Sequence, residues 1–242
     1  MADLQPLPFK AQMLRTGSFE FRTGSYSATT VTEKLSAHMT AERRARIEGV
    51  LKDRTFSVAA VAEHLYDIGN ISAVMRSAES FGFLPFHIIE RKEARYKMSD
   101  RISRGSEKWL DIHKHKSTRD CFADLKSQGF QIFATDLNAD CELQDIDFSK
   151  KVAIVFGNEK DGISEEARAQ ADGRFIIPMR GFAQSFNISV AAALCFYHAY
   201  RDRCARLGRS GDLTIEEKQF VRAHYYLRTL DSAEQILSAS AN

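Results

Sequence analysis

Three short stretches of this 242-residue chain carry polar side chains at spacings that chemistry can use. The first is Asp67-Ile68-Gly69-Asn70, with Arg76 two helical turns further on. The second is Gly157-Asn158-Glu159-Lys160-Asp161-Gly162, and the third runs from Met179 to Asn187 and closes on Ser185-Phe186-Asn187. Several chemistries are excluded by the same residues. Gly157–Gly162 is neither a Walker loop nor a G-x-G-x-x-G fingerprint, so no dinucleotide or triphosphate site is supported. Ser185 lacks the G-x-S-x-G setting of a hydrolase nucleophile. The seven histidines show no ligand-like pairing beyond His113 and His115, which alternate along a strand end, and no metal is expected. Each stretch also has a purely structural explanation: Asn70 as a helix N-cap, Glu159 as the partner of Lys160, and 157–162 as a turn. Residue types and spacing alone reach an α/β enzyme or binding protein with a site at three loops.

The elements that must position these loops are legible as alternating strands and helices. Thr40 caps an expected helix through Arg54, with Ile47, Val50 and Leu51 on one face and Arg43, Arg44, Arg46, Lys52 and Arg54 on the other. Phe56–Ala62 reads as a strand. Asn70–Phe81 reads as a helix, with Gly82 placed for a left-handed C-cap. Further strands are expected at Phe86–Glu90, Trp109–His113, Phe130–Thr135, Val152–Phe156 and Arg174–Pro178. Helices are expected at Ser117–Gln128, Ser164–Ala171 and from near Asn187 to Leu207. Short apolar strands separated by helices imply a parallel sheet covered on both sides. Ligands of such sheets sit in loops beyond the carboxyl ends of the strands, which is where the three polar stretches fall. Residues 1–38 read as a flexible arm, 39–210 as the main domain with a basic first helix, and 211–242 as a C-terminal helical extension.

The net charge of +2 conceals segregation. Residues 91–119 hold ten Lys/Arg against four acids, residues 201–228 seven against four, and residues 136–168 nine acids against four bases. Such a distribution suits a polyanion held on one face, although solvated helices would look the same. No apolar run approaches the length of a membrane span, and Met1–Arg15 lacks a secretory h-region. The four scattered cysteines, none in a C-x-x-C pair or at a zinc-like spacing from histidine, read as reduced thiols of a cytoplasmic protein.

The three stretches together resemble the TrmH-like branch of the SPOUT RNA methyltransferases. The first family motif reads Asn70-Ile-Ser-Ala-Val-Met-Arg76-Ser-Ala-Glu-Ser-Phe-Gly-Phe83. The second reads Ile154-Val-Phe-Gly-Asn-Glu159-Lys-Asp-Gly-Ile-Ser-Glu-Glu-Ala167. The third reads Ile177-Pro-Met-Arg-Gly-Phe-Ala-Gln-Ser185-Phe-Asn187-Ile-Ser-Val-Ala-Ala-Ala193. Order and spacing both match, over roughly residues 40 to 230. Ser103–Trp109 and the basic stretch Thr40–Arg54 also resemble the family, the latter its tRNA guanosine-18 members.

The resemblance implies a parallel sheet with a deep trefoil knot, a homodimer with composite active sites, and S-adenosyl-L-methionine as methyl donor. It implies transfer to a ribose 2′-OH of tRNA, with guanosine 18 of the D-loop as target. The alternatives are rRNA or another tRNA position, or a knotted RNA-binding protein without catalysis. Matching residue by residue, Arg76, Asn70, Glu159, Ser185 and Asn187 correspond to the family's catalytic or site-forming positions. The donor pocket is expected from Thr135, Asp136, Leu137, Gly157, Asn158, Glu159, Ile177, Pro178, Met179, Ser185, Asn187 and Ile188, largely through their backbone. RNA is expected on Arg43, Arg44, Arg46, Arg101, Arg104 and Lys108. An arginine is hard to deprotonate, so Arg76 is assigned to the phosphate beside the acceptor ribose, where its charge lowers the 2′-OH pKa, with a general-base role as the alternative if its guanidinium is strongly perturbed. The chain departs from the tRNA members just before Asn70, where they often carry Pro-His and it carries Ile68-Gly69.

Overall fold

A computed structural model describes residues 18–21, 24–90 and 105–239. The chain divides into two compact units, one of Thr55–Ser210 and one of Met1–Arg54 together with Gly211–Asn242. In the smaller unit, strands Ser18–Phe21 (β1) and Gly24–Ser27 (β2) pair antiparallel. They lead into helix Ala28–Ser36 (α1), whose N-cap Ser27 accepts a hydrogen bond from the Thr30 N–H at 3.1 Å. Helix Ala41–Leu51 (α2) follows, capped as expected by Thr40.

The larger unit is built on seven parallel strands: Val58–Glu63 (β3), Pro85–Ile89 (β4), Asp111–His115 (β5), Gln131–Thr135 (β6), Cys141–Glu142 (β7), Val152–Phe156 (β8) and Gly173–Ile176 (β9). Their spatial order is β5-β4-β3-β8-β6-β9-β7. The two central strands show why the runs are apolar throughout. Val58, Ala60, Ala62, Val152, Ile154 and Phe156 enter one core layer, while Ala59, Val61, Ala153 and Val155 enter the other. Helices Ile68–Ser80 (α3) and Ile188–Leu207 (α6) cover the first face through Ile71, Val74, Met75, Ala78, Ala192, Cys195, Phe196 and Ala199. Helices Thr118–Ser127 (α4) and Glu165–Gln170 (α5) cover the second through Cys121, Phe122, Leu125 and Ala167. Gly82 follows α3 with φ of 85°, the left-handed conformation expected there.

Several strand ends lie one or two residues from expectation, and two shifts have a clear cause. Ser106–Trp109 is a 3-10 turn, which moves β5 to Asp111–His115. The strand expected to reach Pro178 ends at Ile176; Pro178 has no N–H to give a ladder. The two-residue β7 is too short to leave a periodic signal.

The chain then returns to the smaller unit as helices Ile215–Thr229 (α7) and Ala233–Ala239 (α8). The domain division therefore needs correcting. The basic helix α2 belongs with α7 and α8, not with the sheet. The Asp212 N–H donates to the Arg54 carbonyl at 3.2 Å. The Arg222 guanidinium grips both carboxylate oxygens of Glu48, one at 2.8 Å. The expected flexible arm is likewise corrected over residues 18–21 and 24–36, which form β1, β2 and α1. Val31 and Leu35 are fully buried, and the Phe19 ring stacks on Phe220 at 4.7 Å. The apolar partner of this segment lies 201 positions away in the chain, so no local window reveals it. Residues 1–17 of the arm lie outside the described residues.

Candidate active site

The three polar stretches leave the carboxyl ends of β3, β8 and β9. Strands β3 and β8 are hydrogen-bonded neighbours, from Val58↔Val152 to Ala62↔Phe156, so the loops after them open side by side. The backbone turns sharply out of β3. His64 has φ of 53°, the one positive value at a non-glycine among the described residues, and its N–H is held by the Ile89 carbonyl at 3.2 Å.

Helix α3 begins at Ile68, two residues earlier than expected. Asp67 is the N-cap of α3, accepting from the Gly69 N–H at 2.7 Å. Asn70 therefore sits in the first turn with its amide free of capping duty. It donates to Glu159 Oε1 at 2.6 Å and accepts from Asn187 Nδ2 at 3.5 Å. Asn187 has two roles: its Oδ1 caps α6 by accepting from the Ser189 N–H at 2.9 Å, while its amide nitrogen reaches Asn70. The structural explanations of Asn70 as a cap and Glu159 as a partner of Lys160 are both set aside, because these side chains bond to each other across 89 residues of sequence.

The 157–162 loop is shaped by its own small and amide residues. Asn158 and Gly162 exchange both backbone hydrogen bonds, at 2.9 and 3.0 Å. The Asn158 side-chain oxygen accepts from the N–H groups of Lys160 and Asp161, so it builds the loop. A Cβ at Gly157 would lie 2.1 Å from the Gly162 carbonyl carbon. Only glycine permits that closeness.

Arg76 projects from the exposed side of α3, and its guanidinium makes no hydrogen bond or ion pair among the described residues. Ser185 is exposed between Phe182 and Phe186, which are exposed too, and its hydroxyl likewise has no partner among the described residues. The structure thus joins Asn70, Glu159 and Asn187 directly and leaves Arg76 and Ser185 available.

The expected donor-binding residues divide similarly. β6 lies between β8 and β9, so Thr135–Leu137, Gly157 and Ile177–Met179 leave three adjacent strand ends. Leu137 is 61% exposed. The Thr135 hydroxyl, however, donates to the Val155 carbonyl at 3.1 Å. Asp136 is committed elsewhere: its carboxylate pairs with Arg168 at 2.8 Å and approaches Arg174 at 3.9 Å, and its N–H donates to the Phe175 carbonyl. Desolvation opposes the Asp136 charge, but the Asn138 N–H and the two guanidiniums outweigh it and hold the carboxyl below its ordinary range. The Ile188 side chain is in the core, which leaves only its backbone for a ligand.

The expected RNA-binding residues differ in how far their side chains are already engaged. Arg44 donates to the Ser36 and Met39 carbonyls at 2.7 and 2.6 Å, so it terminates α1. Arg43 is half-buried, whereas Arg46 and Lys108 are exposed. Arg101 and Arg104 lie outside the described residues.

One positioning residue escaped sequence reasoning. Glu63, at the end of β3, is 1% exposed. Its carboxylate accepts from Thr118 Oγ1 at 2.6 Å, Ser164 N–H at 2.9 Å and Ser164 Oγ at 2.7 Å. It ties the start of α4 and the N-cap of α5 to the strand beneath the site. A polar residue closing an apolar strand was the available signal.

Comparison with known proteins agrees with this geometry. Residues 57–197 match the SpoU rRNA Methylase family. A tRNA (guanosine(18)-2′-O)-methyltransferase of Borreliella burgdorferi is 36% identical over 206 residues, 84% of this chain and 92% of that protein. The crystal structure of the TrmH/SpoU tRNA modifying enzyme of Aquifex aeolicus superposes with a TM-score of 0.68 at 32% identity, covering 76% of this chain and 95% of that one. The SpoU methyltransferase AviRb from Streptomyces viridochromogenes, solved in complex with AdoMet, superposes with a TM-score of 0.56 at 25% identity over 69% and 65% of the two chains.

Proposed function

The chain belongs to the SpoU rRNA methylase family, and from that premise we propose that it methylates a ribose 2′-OH of tRNA, at guanosine 18 of the D-loop, with S-adenosyl-L-methionine as donor. The observation that carries this proposal is the hydrogen-bonded meeting of Asn70, Glu159 and Asn187 at the carboxyl edge of the sheet, with Arg76 left uncommitted beside it. The similarity to the guanosine-18 enzyme over most of both chains supports the choice of target.

The residues fit an adenosylmethionine. Three adjacent strand ends offer backbone polar groups beside apolar Leu137, Ile177 and Met179, a mixture suited to a nucleoside. Glu159, oriented by Asn70, puts a negative charge at the mouth of that pocket, which favours a cationic donor. When bound, the donor supplies an electrophilic methyl group on a sulfonium. The chain's own task is then to position and activate a poor nucleophile. Alignment of acceptor and donor alone is worth about 7–11 kcal/mol. Arg76 holds the phosphate next to the target ribose, and its fixed charge favours loss of the 2′-OH proton.

Two architectural features complete the proposal. The first is a deep trefoil knot formed by the chain from β9 through 177–187 into α6, a reading that rests on membership of the family. The second is a homodimer. Val190, Leu194 and Tyr197 on one face of α6 are 46%, 39% and 50% exposed, an apolar stripe that a second copy would cover. Among the described residues no helix is long and apolar enough to cross a membrane, and the tRNA substrate would place the enzyme in the cytoplasm.

Methyl transfer from tritiated donor tests the function. Label is expected in bulk tRNA, at the 2′-O of guanosine 18 when the product is mapped by mass spectrometry. Label confined to rRNA would overturn the substrate, and label in neither RNA would favour a binding protein. Two narrower expectations accompany it. Gly157→Ala forces the loop apart and should cost about 1–3 kcal/mol of stability together with donor affinity, read by thermal unfolding and calorimetric titration. Arg46→Ala should weaken tRNA binding and reduce the slope of log affinity against log salt by about one. An unchanged slope would remove Arg46 from the RNA surface.

A further inference from the structure

A second cluster of reactive side chains lies at the other end of the sheet, away from β6, β8 and β9. His87 on β4, His115 at the end of β5 and Cys121 on α4 each present one ligand-type atom, all within 4.8 Å of one another. No sequence motif announces them. The spacings of 28 and 6 residues match no zinc pattern, and only the parallel pairing of β4 with β5 and the crossover into α4 brings them together.

The geometry points to a transition-metal site, and we propose that His87, His115 and Cys121 bind one zinc ion. His87 Nδ1 and His115 Nε2 are 2.9 Å apart. Metal–ligand bonds of about 2.0–2.3 Å in a tetrahedron separate ligand atoms by about 3.3–3.6 Å. The closest pair would open by about 0.4 Å, giving up the hydrogen bond between the two rings, and a pair as wide as 4.8 Å would close by about 1.2 Å. Two imidazoles and a thiolate form a donor set that suits zinc and leaves a fourth position for water on the side of half-exposed His115. His87 is 1% exposed, and its Nδ1 faces His115 Nε2 across the cluster. The Cys121 thiol gives up its proton on binding, and that charge is neutralised by the ion.

The surroundings fix the ligand rings. The His113 ring stacks on His87 at a centroid distance of 4.8 Å, and His113 is itself held by the Asp111 carboxylate at 2.9 Å. Cys121 sits one turn after Thr118, which donates to Glu63. A metal here would clamp α4 to the edge strand β5 and its neighbour β4, on the helix that also reaches the strand beneath the active site. The site is separate from methyl transfer.

Untagged full-length protein, stripped with chelator and titrated with cobalt(II), tests the proposal. One cobalt per chain is expected, with a near-ultraviolet thiolate-to-cobalt charge-transfer band. Cys121→Ala should lose the band, and His115→Gln should weaken binding at least tenfold. Both variants are compared by circular dichroism to confirm folding. Zinc at a hundredfold excess over its Kd should raise the unfolding midpoint by about 5–10 °C. Cobalt binding without the thiolate band, or a band that persists in folded Cys121→Ala, would overturn the assignment. So would the absence of stoichiometric binding.

Discussion

Arg76→Ala is expected to lower kcat by about a hundred- to a thousandfold or more while leaving S-adenosyl-L-methionine affinity unchanged. The guanidinium is exposed and has no protein partner among the described residues, so its removal leaves no buried group unsatisfied and no cavity. Stability should stay within about 0.5 kcal/mol, as at other exposed sites without partners. Arg76→Lys separates two contributions. A lysine keeps the charge but loses the planar fork that matches a phosphate, so partial activity with a raised KM for tRNA is expected. Measurement needs single-turnover methyl transfer with calorimetric titration of the donor on the same preparations. If donor affinity collapses along with turnover, Arg76 belongs to the donor side of the reaction and the assignment is wrong.

Glu63→Ala is expected to be the most destabilising single change near the site, by about 3–5 kcal/mol, which lowers the unfolding midpoint by about 6–20 °C. Three donors converge on this carboxylate, two from Ser164 and one from Thr118, and alanine would strand all of them at a site that is 1% exposed. Glu63→Gln keeps a carbonyl oxygen for the Ser164 N–H, and both hydroxyls can turn to accept from its amide, so a smaller loss is expected. Because Ser164 caps the helix that follows the Gly157–Gly162 loop, donor affinity should fall in the alanine variant even below its midpoint temperature. Near-wild-type melting of Glu63→Ala, measured by calorimetry, would show that the network is not what fixes the loop.

The parallel sheet was legible in the chain because its strands are apolar on both faces and its helices are capped locally. Val152–Phe156, Thr40, Ser117 and Gly82 carry their structural meaning within a few residues. The candidate active site was legible through the resemblance of three loops, in order, to one family. Physical reasoning on any single loop stopped at a cap, a turn or an ion pair. Where local signals ran out, the expectations failed. Asn70 competed with Asp67 for the same cap, and residues 18–21 and 24–36 looked structureless because Phe19 finds its partner at Phe220.

What the amino-acid sequence by itself determined, then, is the alternation of strands and helices, the three polar loops, and their kinship. The order of strands was decided only in three dimensions. Parallel pairing of β3 with β8 sets Asn70 beside Glu159, 89 residues apart, and the approach of α6 brings in Asn187. The same is true of Glu63 under Ser164 and of His87, His115 and Cys121. Hydrogen-bond and ligand geometry act over about 3 Å of space, and sequence spacing constrains such distances only inside one element. Between elements, burial of apolar faces chooses the neighbours, and the polar groups meet where that packing leaves them.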